Sequence, residues 1–149
     1  MYFGYELQAS RQSIVTLGGR FSRPRPILTV LLRGPFGDYP TDALIDTGSD
    51  DCVFPLHIAK RIGIDLTTAP LGSASGVGIA SVTLYYTQVT LRIADNHEQR
   101  EWQAWVGFTS APLKRPLLGF AGFLQFFTAT FHGDREEVEL TVNSLYPGI

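Results

Sequence analysis

Ala43-Leu44-Ile45 runs straight into Asp46-Thr47-Gly48-Ser49. A strand ending this way sets a carboxylate at the mouth of a buried element, and glycine permits the turn beyond it. The apolar residues give that carboxylate a low-dielectric wall. If a second carboxylate faces it, ionising both is costly, so the two share one proton. One group is then a base and the other an acid at the same pH, a pair able to activate water against an amide. The chain contains a single Asp-Thr-Gly, so a second copy has to come from another chain. Taken alone, Asp46-Thr47-Gly48 also reads as an ordinary turn after a strand.

Two further segments narrow the reading. Pro116-Leu117-Leu118-Gly119 is an apolar pair closed by glycine, followed by Phe120-Ala121-Gly122-Phe123-Leu124. Between it and Asp46 lies a glycine-bearing hairpin, Gly72-Ser73-Ala74-Ser75-Gly76-Val77-Gly78. With Asp46-Thr47-Gly48 first and Leu117-Leu118-Gly119 last, residues 27–142 resemble the retropepsin-like aspartic proteases, the one-lobe homodimeric relatives of pepsin. The resemblance implies peptide-bond hydrolysis by a water held between two Asp46 carboxylates, one from each subunit. It implies that Thr47 hydrogen-bonds across the dimer axis and that Gly48 stays small where two loops approach. Ser49, Asp50 and Asp51 would contact substrate, as would Gly76, Val77 and Gly78 at a flap tip. Leu117, Leu118 and Gly119 would lie under the catalytic loop as structural support. The partners implied are a second copy and an extended peptide; no cofactor and no metal are expected. The alternative is a catalytically silent module of the same fold, used for dimerisation or peptide binding.

Each assignment has a plainer counterpart. Thr47 reads equally as a solvent-facing turn residue, Asp50 and Asp51 as solvated loop acids, and Gly76-Val77-Gly78 as a simple hairpin turn. One position departs from the pattern: many retroviral relatives place arginine directly after the apolar-apolar-glycine motif, paired with an acid of the catalytic loop. Here that position is Phe120, and Arg115 and Arg11 are the substitutes to consider.

Other chemistries are weaker. Cys52 and His57 permit a nucleophile pair on paper, but Cys52-Val53-Phe54 reads as a buried strand with a small thiol. His57, His97 and His132 show no metal-ligand spacing. Ser49 lacks the Gly-x-Ser-x-Gly of a hydrolase elbow. The glycine-serine run at 72–78 is followed by strand-like alternation, not by the helix a phosphate loop needs. Trp102 and Trp105 read as core or interface anchors.

The elements that must position these residues are mostly strands. Fifteen glycines, nine prolines and short alternating runs point to an all-β domain. The expected fold is a closed, mostly antiparallel barrel of the acid-protease type, a single pepsin-like lobe with one or two short helices. Ile27–Arg33 and Asp42–Ile45 form a hairpin around Gly34–Asp38. Pro55–Ile62 is a short helix with Leu56, Ala59 and Ile62 facing the core, and Gly63 ends it. A second short helix is expected near Ala121–Phe126. Residues 1–26, with Gly18-Gly19 and Pro24-Arg25-Pro26, read as a loose N-terminal arm with Ile14–Leu17 as an added strand; 27–149 is the protease-like domain. The chain has 149 residues and a net charge of −2 without a charge block, which points away from nucleic acid and membrane as partners. One cysteine excludes an internal disulfide. No signal-peptide pattern and no membrane-span run is evident, so a cytoplasmic location is expected.

Overall fold

The structure, a computed structural model, describes residues 1–76 and 79–149. In chain order the strands are β1 (Tyr2–Gly4), β2 (Glu6–Ile14), β3 (Arg20–Arg25), β4 (Ile27–Gly34), β5 (Gly37–Ile45) and β6 (Val53–Pro55). Helix α1 (Leu56–Ile62) follows. Then come β7 (Leu71–Gly76), β8 (Ile79–Ala94), β9 (Gln99–Thr109), β10 (Leu117–Leu118), β11 (Phe127–His132) and β12 (Glu137–Val142). A seven-stranded mixed sheet has the order β4-β5-β10-β6-β9-β8-β7, and β4 also pairs with β8. The β5–β10 and β6–β9 pairings are parallel, and the other pairings in this sheet are antiparallel. A separate sheet has the order β1-β12-β11, and β2–β3 form a third by themselves.

The sequence explains the main pieces. β4 buries Ile27, Leu28, Val30 and Leu32 and turns into β5 through Pro35-Phe36, with Gly34 opposite Gly37. Gly37 sits at φ +122°, a backbone region open to glycine. The turn reaches α1, where the Phe36 N–H donates to the Ile62 carbonyl at 3.0 Å. Helix α1 starts after Pro55 and stops at Gly63, φ +80°, with Lys60 and Arg61 in its last turn complementing the carbonyl end. Its buried residues are Ile58, Ala59 and Ile62; Leu56 is only partly buried, so the apolar face is rotated from the expected one. β8 and β9 pair along ten residues. Trp102, Ala104, Val106 and Phe108 point one way from β9 into the core. Trp102 packs on Phe123, Phe127 and Tyr146, with ring centroids 6.1, 5.2 and 6.0 Å away. Its indole N–H donates to the Gly122 carbonyl at 2.9 Å, which leaves the ring's polar atom satisfied.

Three expectations are corrected. Residues 1–26 are not a loose arm. β1 pairs with β12, Met1 is buried, and β2–β3 form a hairpin turning at Gly18 and Gly19, both at positive φ. Ile14–Leu17 is not a strand: β2 ends at Ile14 and Val15–Leu17 is a 3-10 turn. The short helix expected near 121–126 is present only as a 3-10 turn, Leu124–Phe126, and starts later than expected. Gly122 at φ +91° sets the backbone before it. Among the described residues no helix is long and apolar enough to cross a membrane.

Candidate active site

β5 carries Ala43 and Ile45 inward, both buried. Its partner on one side is the two-residue β10, parallel, with Leu117 opposite Leu44 and Leu118 opposite Ile45. The Leu44 N–H donates to the Pro116 carbonyl at 2.9 Å. One step beyond the strand the Asp46 N–H donates to the Leu118 carbonyl at 3.0 Å. Asp46 therefore leaves the sheet with its backbone still held by β10. Its carboxylate oxygen Oδ1 accepts the Gly48 N–H at 2.9 Å, and its carbonyl accepts the Ser49 N–H at 3.1 Å. These bonds close a tight turn. Asp46 and Ser49 are half-buried, while Thr47, Gly48 and Asp50 are exposed.

The segment after β10 clamps the rest of the loop. The Phe120 N–H donates to the Ser49 carbonyl at 2.9 Å and the Ala121 N–H to the Asp50 carbonyl at 2.8 Å. The Cys52 N–H returns to the Ala121 carbonyl at 3.3 Å. Gly119 is buried directly beneath this crossing. A Cβ built there would lie 2.6 Å from the Ser49 carbonyl oxygen and 2.7 Å from the Asp51 carbonyl carbon. Only hydrogen fits. Leu117, Leu118 and Gly119 thus lie against the Asp46–Asp51 loop, and Leu118 is fully buried.

The acidic pair separates by environment. Asp50 faces solvent. Asp51 is half-buried and its Oδ2 accepts the Tyr86 hydroxyl at 2.9 Å. The Ser49 hydroxyl donates to the Asp51 carbonyl at 2.7 Å. Burial, and then the bond to Asp51, hold the Tyr86 phenol above its usual pKa. The substitute cations considered for the missing arginine do not take its place: Arg115 Nη2 binds Glu6 Oε1 at 2.8 Å, and among the described residues no ion pair to Asp50 or Asp51 involves Arg11. Phe120, at the arginine position, is 61% exposed. Tyr86 escaped the sequence reading because it lies far from Asp51 in the chain, with no local pattern to join them.

The hairpin of the third segment is β7–β8, with Gly76 opposite Ile79. Val77 and Gly78 lie outside the described residues. Beside β5 and β10 an open cleft of about 580 Å³ is walled by Leu44, Leu113 and Leu117 and rimmed by Arg25, Lys114 and Arg115. Cys52 is fully buried, and burial pushes its thiol up to about 12. It stays protonated and unreactive at neutral pH. Among the described residues no cluster of His, Cys, Asp and Glu is arranged to hold a metal ion.

Residues 32–121 match a protein-family model described as aspartyl protease. No curated protein matches the chain.

Proposed function

Because the chain belongs to the aspartyl protease family, we propose that it is an aspartic endopeptidase whose site is completed by Asp46 of a second copy. The observation that carries this reading is the state of the Asp46 loop. Its backbone is fixed by β10 and by residues 120–121, yet Thr47 and Gly48 at its tip are exposed and free to meet a partner. One chain supplies one such loop. Two loops meeting about a two-fold axis would bring the Asp46 carboxylates together over one water. One shared proton leaves one carboxylate to take a proton from the water. The other gives its proton to the peptide carbonyl as the tetrahedral centre forms. Thr47 and Gly48 then make the contact between loops. Gly119 keeps each loop rigid from below.

The lobe in this reading is a barrel closed through the β4–β8 pairing. An extended peptide lies along the groove between lobes, with β7–β8 covering it as a flap through strand-like bonds. The apolar wall of Leu44, Leu113 and Leu117 suits an apolar side chain beside the scissile bond. Ser49, Asp50, Asp51 and the segment Gly76–Gly78 contact the peptide backbone.

The test is a peptide-library cleavage assay on wild type and Asp46→Asn. The amide is nearly isosteric but is no base, so the variant should fold, keep its melting temperature within a few degrees and cleave nothing. Equal cleavage by both proteins would sink the mechanism. Wild-type protein that binds extended peptides and never cuts them would favour the silent binding module instead.

A further inference from the structure

We propose that Tyr86 is a positioning residue for the Asp46 loop, linking that loop to the base of the β7–β8 hairpin. Three backbone and side-chain contacts converge on it. The Tyr86 N–H donates to the Pro70 carbonyl at 2.9 Å, just before β7 begins. On its other side Tyr86 lies opposite Gly107 of β9, whose own N–H donates to the Cys52 carbonyl at 2.9 Å. The phenol then reaches Asp51 at 2.9 Å. The ring therefore spans from the hairpin base across β9 to the end of the catalytic loop.

One glycine, Gly72, makes that span possible, and a second, Gly107, lies against the ring. A Cβ on Gly72 would sit 2.6 Å from the Tyr86 hydroxyl oxygen and 2.8 Å from Cζ. A Cβ on Gly107 would sit 3.2 Å from Leu84 Cδ1 and 3.4 Å from Tyr86 Cε1. Neither glycine has a positive φ, so backbone conformation does not require them; at Gly72 the tyrosine ring does, while at Gly107 Leu84 is the nearer neighbour and the ring lies at ordinary contact distance. Glycine inside a strand otherwise weakens it, and here two of them flank one aromatic side chain. Among the described residues Asp51 has no cationic partner. The phenol is the side-chain donor that orients its carboxylate. A hydrogen bond to a charged acceptor is worth more than one between neutral groups.

The kinetic part of this proposal rests on the protease reading; the structural part does not. The experiment therefore has two arms on the full chain. In the first, amide hydrogen exchange is followed over residues 46–52. Tyr86→Phe removes only the hydroxyl and should speed exchange there about ten-fold, with β11–β12 unchanged. Asp51→Ala, which removes the acceptor, should do the same. The double variant should add nothing further, because both changes break one bond. Asp51→Asn, whose amide oxygen still accepts from the phenol, should keep exchange slow. In the second arm, Tyr86→Phe should lower kcat about ten-fold and leave KM within about two-fold, the mark of lost transition-state geometry. Wild-type exchange rates in Tyr86→Phe, additive effects in the double variant, or faster exchange with unchanged kcat would each overturn the assignment. If the wild type cleaves no peptide at all, the protease reading falls and the exchange arm alone decides whether Tyr86 sets the loop.

Discussion

The α-hydrogen of Gly119 that a side chain would replace points at the backbone of Ser49 and Asp51. Those atoms belong to a loop held by three hydrogen bonds to residues 120 and 121, so they cannot give way as a flexible side chain would. Gly119→Ala should therefore cost on the order of 2 kcal/mol or more and displace the loop that carries Asp46. Gly133→Ala is the control: a Cβ there meets nothing within 4 Å, and its stability should stay within about 0.5 kcal/mol. Equal melting temperatures for the two variants would show that Gly119 is not tightly packed. At this scale the placement of Asp46 at a strand end and of Leu117, Leu118 and Gly119 against its loop was legible, because each sits in a short run whose residue types need one another locally. The Tyr86–Asp51 bond was not. Its only trace in the sequence is a strand glycine, Gly72, away from any tight turn, and that glycine acquires meaning once the ring lying against it is seen.

Among the elements, β2–β3 differs from the rest. It forms a sheet of its own, none of its residues is buried, and Leu7 and Phe21 stay exposed. A two-stranded ribbon without a packed face is marginal in water. It is tied down by Arg115 on Glu6 and Arg20 on Glu136, and surface pairs of this kind contribute little. Amide exchange in β2–β3 should therefore be much faster than in the central part of β8–β9, where strands pair over ten residues above a buried aromatic core. Protection in β2–β3 equal to that of β8–β9 would mean the hairpin is held by contacts other than these. The same lack of a buried face explains why residues 1–26 read as a loose arm: without an apolar stripe there is no period to detect. The β4–β5 hairpin, with Leu28, Val30 and Leu32 on its inner side, announced itself. In the segment 121–126 the expected short helix is reduced to one 3-10 turn, because Gly122 at positive φ, its carbonyl held by the Trp102 indole, sets the backbone before Leu124.

For the molecule as a whole, the proposed site exists only when two chains meet. Specific activity should rise with protein concentration around the dimer dissociation constant. Excess Asp46→Asn chain should suppress wild-type activity once subunits exchange, since mixed pairs hold one reactive carboxylate. Full activity in a demonstrated monomer, or no suppression after exchange, would exclude a shared site. A further consequence follows from β10 being two residues long and lodged between β5 and β6. It is a keystone that the chain makes late. A ribosome releases β4, β5 and the whole β7–β9 meander before Leu117 has been joined, and pairing between distant segments forms slowly because a large loop must close first. Until then the Asp46 turn has no strand beneath it and no clamp over Ser49 and Asp50. A nascent chain would carry its acidic residue harmlessly through most of synthesis, and competence would arrive as one of the last events of folding.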